Sequence, residues 1–357
     1  MEISREMFDR QGHPRLGTTN PERMSVAFWE WMIRGNDAGK PRPYISGDDT
    51  PSGFSPYEVR TRLNLPYDCG PIWNFQRMGA TRTDLPDGRT ICIAGEHEDF
   101  YDPDFFIYND VVVLHPDGKI DIYGYPKEIF PPTDFHSATL VDDRIFVLGR
   151  LGYQEERLTG PTPVHTLSLA DNHIEKIQTR GDHPGWIFKH EAALDANGTI
   201  TIRGGEILEA SGDEEKIRRN FEDYSLDLSS GTWTRLTNRN WRQYSIHDGE
   251  GRSYFHGVRR NFDFLASINQ QAAASMNSLI FISLDEIFDD ITNQSGDDWD
   301  HFHAHVEGIP ISLTLEGGTI EIVIESPLEE AHASSLASQI KARIEAHTSR
   351  NCILTST

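Results

Sequence analysis

Charged and imidazole side chains recur at regular intervals near four glycines, each of which ends a short strand-like stretch. These glycines are Gly95, Gly149, Gly205 and Gly257. The residues that recur there with a chemistry suited to binding are Glu96, Arg150, Glu206, His136, His190 and Arg242. Such side chains can bind a charged small molecule or a peptide terminus, or they can pair with one another and hold the fold together. They form one candidate site only if the fold brings the repeats around a common axis.

A second candidate site is an acidic and aromatic loop that follows the first of these glycines. Its candidate binding residues are Glu96, His97, Glu98, Asp99, Tyr101, Asp102 and Asp104. Clustered carboxylates suit Ca²⁺, but their order does not match an EF-hand loop and the glycine at its sixth position is missing. The same composition suits recognition of a protein through aromatic anchors and an acidic rim. A solvated loop with its aromatic residues packed against the fold is the third alternative.

Three histidines at alternate positions, His301, His303 and His305, form the third candidate site. In a strand they would share one face, as imidazole ligands of Zn²⁺ or another transition metal require. The alternative is a linker segment without a metal. No cofactor is predicted elsewhere, and a divalent metal is the alternative at this site.

Motifs for nucleophilic catalysis and for nucleotide binding are absent from the sequence. There is no Gly-x-Ser-x-Gly, no phosphate-binding loop, no His-Glu-x-x-His and no dinucleotide fingerprint. The sequence therefore favours a protein that is not an enzyme, without deciding the question.

The elements that must position these side chains form a repeat. Residues 81–95, 136–149 and 190–205 each read as a strand, a polar turn and a second strand that ends in glycine, and 242–257 is a weaker copy. The terminal glycines are 54, 56 and 52 residues apart. A period near fifty residues that is built from short strands is typical of a β-propeller.

The copies resemble the kelch repeat. The third copy has the full pattern, with Gly204-Gly205, a strand from Tyr224 and then Gly231-Thr232-Trp233, whereas the first two copies end in Ala94-Gly95 and Leu148-Gly149. The resemblance covers residues 76–290 and implies four-stranded blades around a central axis. The expected fold is mainly β, a small kelch-like propeller of about four blades that is closed or partly open. An ordinary β-sandwich is the alternative.

Three regions are predicted along the chain. Residues 1–75 form a helical and irregular segment, with a helix from Asn20-Pro21 to Gly35. The aromatic residues of this helix pack onto their own domain or, as the alternative, form a partner-binding stripe. Residues 76–291 hold the blades, at 76–126, 130–182, 183–238 and 240–291. A linker at 292–304 leads to a ββα(β) unit at 305–357, whose hairpin turns at Glu316-Gly317-Gly318.

Composition limits the partners. A net charge of −23 and a pI near 5.0 repel duplex DNA and anionic membranes, so neither nucleic acid nor a membrane is an expected partner. Three scattered cysteines and the charged start of the chain favour a cytoplasmic protein without disulfides.

These observations together predict a protein-binding or scaffold module that presents the loops at 96–107, 150–163 and 206–222 to a protein partner. The alternative is an enzyme or small-molecule binder that uses the axial glutamate, arginine and histidine residues for a small charged ligand.

Overall fold

The structure, a computed structural model, describes residues 3–34, 55–97, 105–157, 160–211, 214–256, 279–293, 301–316 and 318–356. The chain divides into two compact units, Met1–Thr237 and Asn238–Thr357. Both are dominated by antiparallel strands, so the predicted mainly β class is confirmed. None of the described sheets is closed. Among the described residues, no helix has the length and apolar character needed to span a membrane.

Three successive sheets build the first unit. Sheet 1, in the spatial order β1-β7-β6-β3-β2, contains β1 (Glu22–Arg23), β2 (Thr81–Asp84), β3 (Thr90–Ile93), β6 (Val111–Leu114) and β7 (Ile120–Gly124). Sheet 2, in the order β11-β10-β9-β8, contains β8 (Ser137–Val141), β9 (Arg144–Leu148), β10 (Val164–Ser168) and β11 (Ile174–Lys176). Sheet 3, in the order β12-β19-β18-β15-β14, contains β12 (Arg180–Gly181), β14 (Glu191–Leu194), β15 (Thr199–Arg203), β18 (Tyr224–Asp227) and β19 (Thr232–Arg235).

Two smaller sheets fill the segments between these strands. A short antiparallel pair joins β4 (Glu96–His97) to β5 (Phe106–Ile107). A three-stranded antiparallel sheet joins β13 (Trp186–Phe188), β16 (Glu206–Ser211) and β17 (Glu214–Arg219), with β17 at its edge. The segment after Gly205, which the sequence predicts as a loop, is therefore a regular β-hairpin.

Apolar residues on both faces explain why the sheets stack. In β3, Ile91 and Ile93 pack with residues of sheet 2, whereas Cys92 faces the N-terminal helices. Sheets 2 and 3 share a further core that contains Leu148, Ile202 and Trp233. Alternation within a strand sends successive side chains to opposite faces, so one β-strand contributes to two cores.

The N-terminal segment covers the outer face of sheet 1. Its helices are α1 (Arg5–Gln11), α2 (Ala27–Arg34) and α3 (Pro56–Leu63). The predicted helix start at Asn20-Pro21 is wrong: the side chain of Asn20 bonds the backbone of Ile174, residues Glu22–Arg23 extend the edge of sheet 1, and α2 begins at Ala27. Phe28, Trp29 and Trp31 are buried against their own unit, as the packing interpretation predicts.

The second unit contains a six-stranded antiparallel sheet that one long helix covers. The sheet has the order β23-β24-β25-β26-β20-β27. Its strands and the remaining elements of this unit are β20 (Arg242–Asp248), β21 (Ser253–His256), β22 (Leu279–Ile282), α4 (Leu284–Ile287), β23 (Thr292–Asn293), β24 (His301–Val306), β25 (Ile309–Glu316), β26 (Thr319–Ile324), α5 (Glu330–Thr348) and β27 (Cys352–Ser356). Leu336, Ile340 and Ile344 of α5 are fully buried and belong to the core that the helix shares with this sheet.

The structure differs here from the predicted division at 291–305. Strand β20, assigned from the sequence to a fourth blade, pairs with β26 on one side and β27 on the other. Its side chains Tyr244 and Ile246 belong to the same core as α5, which makes it part of the C-terminal unit. Residues 301–304, predicted as linker, form the start of β24.

One glycine shows how tightly the end of sheet 2 approaches β13 and the histidine that precedes sheet 3. Gly149 has a φ of 72°, and a Cβ atom there would lie 2.2 Å from the carbonyl oxygen of Ile187 and 2.8 Å from Cε1 of His190. We expect Gly149→Ala to lower the free energy of unfolding by roughly 3 kcal/mol, since left-handed strain and a clash with backbone add together. The control Gly198→Ala has a φ of 78° but no described atom within 4 Å, so only the strain of about 1 kcal/mol should remain. Urea unfolding of both variants measures the difference, and equal losses would contradict this account of Gly149.

Candidate functional site

The predicted axial residues of the first unit lie at a repeated join between successive sheets. Gly79, Phe135 and Lys189 each precede the first strand of a sheet by two residues and have left-handed backbone conformations. The amide of Phe135 donates to the carbonyl of Gly79 at 2.8 Å, and the amide of Lys189 donates to the carbonyl of Phe135 at 2.7 Å. Each sheet is thereby tied by its backbone to the preceding one.

The two predicted histidines reinforce this join. The Nε2 atom of His136 shares a hydrogen bond of 2.8 Å with the hydroxyl of Thr81, and His190 makes the same bond at 2.8 Å with Ser137. Both rings are more than nine-tenths buried, and their Nδ1 atoms have no hydrogen-bond partner within the described part of the chain. Burial lowers the pKa of His136 to about 3 and that of His190 to about 4. Both rings are therefore neutral at pH 7 and act as links between sheets.

Arg150, the third predicted axial residue, is buried in a polar cluster that includes residues the sequence did not single out. Its guanidinium donates to the carbonyl of Pro132, lies 3.2 Å from Glu156 and sits over the ring of Trp186 at 5.0 Å. Burial lowers its pKa, and the charge of Glu156 opposes that shift. Glu156 ends a single helical turn, Gln154–Glu156, that brings its carboxylate back to Arg150. No spacing in the sequence indicates this contact.

Asp134 lies beside this cluster. Its Oδ1 accepts a hydrogen bond of 2.6 Å from the amide of Gly152, and the carboxylate is fully buried. Burial raises its pKa, although the bond from Gly152 and the charge of Arg150 oppose the rise. Its Oδ2 atom and the Nε atom of Arg150 have no hydrogen-bond partner among the described residues.

The remaining axial candidates do not join this group. Glu206 begins the β16 hairpin, where Nζ of Lys189 lies 3.3 Å from its carboxylate. Arg242 belongs to the second unit, where its Nε donates to the carbonyl of Leu328 at 3.5 Å. It lines a depression of about 340 Å³ there, together with Trp241 and Glu329.

Two residues of the predicted acidic loop fall within the described part of the chain. Glu96 and His97 form β4. The Nδ1 atom of His97 lies 3.0 Å from the carbonyl oxygen of Gln76 and 2.9 Å from the side-chain nitrogen Nδ2 of Asn74. The other five candidates, Glu98, Asp99, Tyr101, Asp102 and Asp104, lie outside the described residues.

The three histidines of the predicted metal site do share one face of β24, because Phe302, Ala304 and Val306 alternate with them and are buried. Each has a different partner: Nδ1 of His301 lies 2.8 Å from the hydroxyl of Thr314, and the rings of His303 and His305 lie near Glu325 and Asp290 respectively. Within the described ranges, no group of three His, Cys, Asp or Glu side chains is placed to hold a metal. A metal at these histidines stays a prediction.

The sequence did not reveal a depression of about 280 Å³ at the free edge of sheet 3. Its lining residues are Glu191, Ala192, Ala193, Leu194, Asp195, Thr201 and Arg203. Strand β14 is the last strand in the order of sheet 3, so its outer side has no ladder partner in that sheet. No spacing in the sequence indicates this depression, because it depends on which strand ends the sheet.

Comparisons with known proteins give little guidance. No family model and no curated protein matches the chain. The solved structure described as the structure of YjhT is similar over 54% of this chain and 58% of that chain, with 17% sequence identity and a TM-score of 0.30.

Proposed function

We propose that the first unit is a protein-binding module that presents the segments between its strands to a protein partner. Kelch-like propeller character, which the repeat suggests, remains part of this proposal. The hairpin of β16 and β17 is the observation that carries it.

The hairpin offers an ordered edge for recognition. Among the described strands, β17 pairs only with β16, and Ile217 is 40% exposed opposite the buried Leu208. An edge strand leaves alternate backbone N–H and C=O groups for an added strand of a partner, while side chains such as Ile217 supply specificity. A salt bridge of 2.8 Å between Arg157 and Glu215 holds the hairpin to its unit. The recognition surface is thus fixed before a partner arrives, which lowers the entropic cost of binding.

Burial of the axial residues supports a partner at the surface rather than a ligand among the repeats. His136, His190 and Arg150 are buried and already bonded to neighbouring groups. A ligand there would have to replace those bonds, at a cost of about 1–3 kcal/mol for each buried group left unpaired.

The test is capture of protein partners from a lysate of the source cells with wild-type protein and with Ile217→Asp. We expect the variant to lose at least about tenfold of the captured partner, because a carboxylate on the edge strand opposes strand addition. Ile353→Asp is the matched control, since Ile353 is 54% exposed on β27 of the second unit. Equal loss with both variants, or no loss with Ile217→Asp at unchanged thermal stability, would count against this surface.

A small charged ligand is the second candidate function. The unpartnered Oδ2 of Asp134 and Nε of Arg150 favour it, because buried polar atoms usually have a partner. A bound molecule that co-purifies with the wild type and is lost from Arg150→Lys would support this alternative.

A further inference from the structure

The joins between sheets follow one rule twice. The amide of the residue before the histidine donates to the carbonyl of the corresponding residue in the preceding sheet, as Phe135 does to Gly79. The histidine itself then bonds the side chain two positions after that carbonyl, which is Thr81. Lys189 repeats the first bond on Phe135, and His190 repeats the second on Ser137.

The same rule, applied to sheet 3, identifies the two groups that a further segment would bond. The next carbonyl is that of Lys189, and the side chain two positions later is Glu191. Lys189 and Glu191 are exposed, and neither the carbonyl of Lys189 nor the carboxylate of Glu191 has a hydrogen-bond partner among the described residues. Glu191 also lines the depression of about 280 Å³ at the free edge of β14. The two internal joins therefore define how a docked segment would contact Lys189 and Glu191.

The third position differs from the first two in charge. Thr81 and Ser137 offer hydroxyls, which accept or donate, whereas an ionised glutamate only accepts. Asp195 adds a second carboxylate to the depression. The arginine that lines it, Arg203, pairs with Asp223, and its Nε lies 3.4 Å from the Asp223 carboxylate. A chain with a net charge of −23 also favours cationic partners.

We propose that this position binds an extended segment of a partner protein that places a basic side chain on Glu191 and a backbone amide on the carbonyl of Lys189. The inference deepens the proposed binding function, on which it rests, by naming the chemistry of the partner. The same carboxylates disfavour a phosphorylated or acidic segment.

A synthetic peptide tests the position directly. The probe has the sequence of residues 132–141, which forms the second join in the chain, with arginine in place of His136 (H136R), and its binding is followed by fluorescence anisotropy. Wild-type protein should bind it at least about tenfold more tightly than Glu191→Lys does, because reversal turns an attraction into a repulsion. A second peptide with H136E should show the opposite preference. Glu128→Lys, an exposed charge reversal elsewhere in the first unit, should bind both peptides like the wild type.

Equal affinity of wild type and Glu191→Lys for the arginine peptide, or no saturable binding of that peptide, would overturn the inference. Lysate capture separates this failure from that of the proposed function. If Ile217→Asp abolishes capture and Glu191→Lys leaves it unchanged, the docking position is refuted and the binding module stands. If wild-type protein captures nothing, the proposed function itself fails.

Discussion

Asp110→Asn should lower the free energy of unfolding of the first unit by about 3–5 kcal/mol, the range for a buried ion pair that loses one partner. Asp110 is 4% exposed and Arg77 is 3% exposed, and two guanidinium nitrogens of Arg77 contact the two carboxylate oxygens of Asp110. Trp73 donates its indole N–H to the same carboxylate at 3.0 Å. The substitution keeps the shape of the side chain but leaves the guanidinium buried without a counter-charge.

The position of this ion pair makes the loss large. Arg77 belongs to the segment that enters the first sheet, and its guanidinium lies 3.4 Å from the ring centre of Tyr108 and also donates to the carbonyl of Ala94. The pair thereby joins the N-terminal segment to sheet 1. Asp9→Asn is the matched control, because Asp9 pairs with Arg5 on the surface of α1 at about half exposure. Urea unfolding should show a loss below about 1 kcal/mol for the control. Similar small losses in both variants would refute a structural role for the Arg77–Asp110 pair.

Acid should destabilise the first unit steeply, and the loss should begin at pH values well above those at which ordinary carboxylates titrate. A third histidine, His165 of β10, is buried like His136 and His190. Burial lowers the pKa of His136 to about 3 and the pKa values of His165 and His190 to about 4, from an ordinary value of 6.5. The unfolded chain therefore binds more protons between pH 6.5 and 4. Each histidine's contribution to stability is complete above pH 6.5 and is lost as the pH falls towards its folded-state pKa. The free energy of unfolding falls by about 1.4 kcal/mol per pH unit for each histidine, or by about 4 kcal/mol per pH unit for all three together.

Urea unfolding at a series of pH values between 6.5 and 4, followed by tryptophan fluorescence, measures this slope. His190→Gln should reduce stability at pH 7, through loss of the bond to Ser137, and should flatten the slope by about 1.4 kcal/mol per pH unit. His332→Gln changes an exposed histidine of α5 and should leave the slope unchanged. Parallel pH profiles for wild type and His190→Gln would contradict the role assigned to the buried rings.

Much of the first unit was predictable because its signals are local. Period-two alternation and Asp-Gly or Asn-Gly turns mark strands such as Thr199–Arg203, and the glycine at each repeat end marks where sheets approach closely. The three histidines on one face of β24 followed from the same alternation. These features depend on residues that are neighbours in sequence.

The joins and the fourth copy were not predictable, because they depend on distant residues. The residues near Arg150 in sequence do not show that its guanidinium lies over the ring of Trp186. The hydrogen bond between His136 and Thr81 likewise depends on how the two sheets stack. Strand β20 has the apolar alternation of a blade, yet β26 and β27 offer it two partner strands and a shared core. Competition between possible strand partners is decided by tertiary packing, which a single sequence does not report.

The most direct test of the central claim is affinity capture of the tagged wild-type protein from its native lysate, with mass spectrometry of both proteins and small molecules. We predict a stoichiometric protein partner that is lost with Ile217→Asp and retained with Ile353→Asp. A bound metabolite or metal without any protein would contradict the binding module and favour a ligand at the Asp134 and Arg150 cluster.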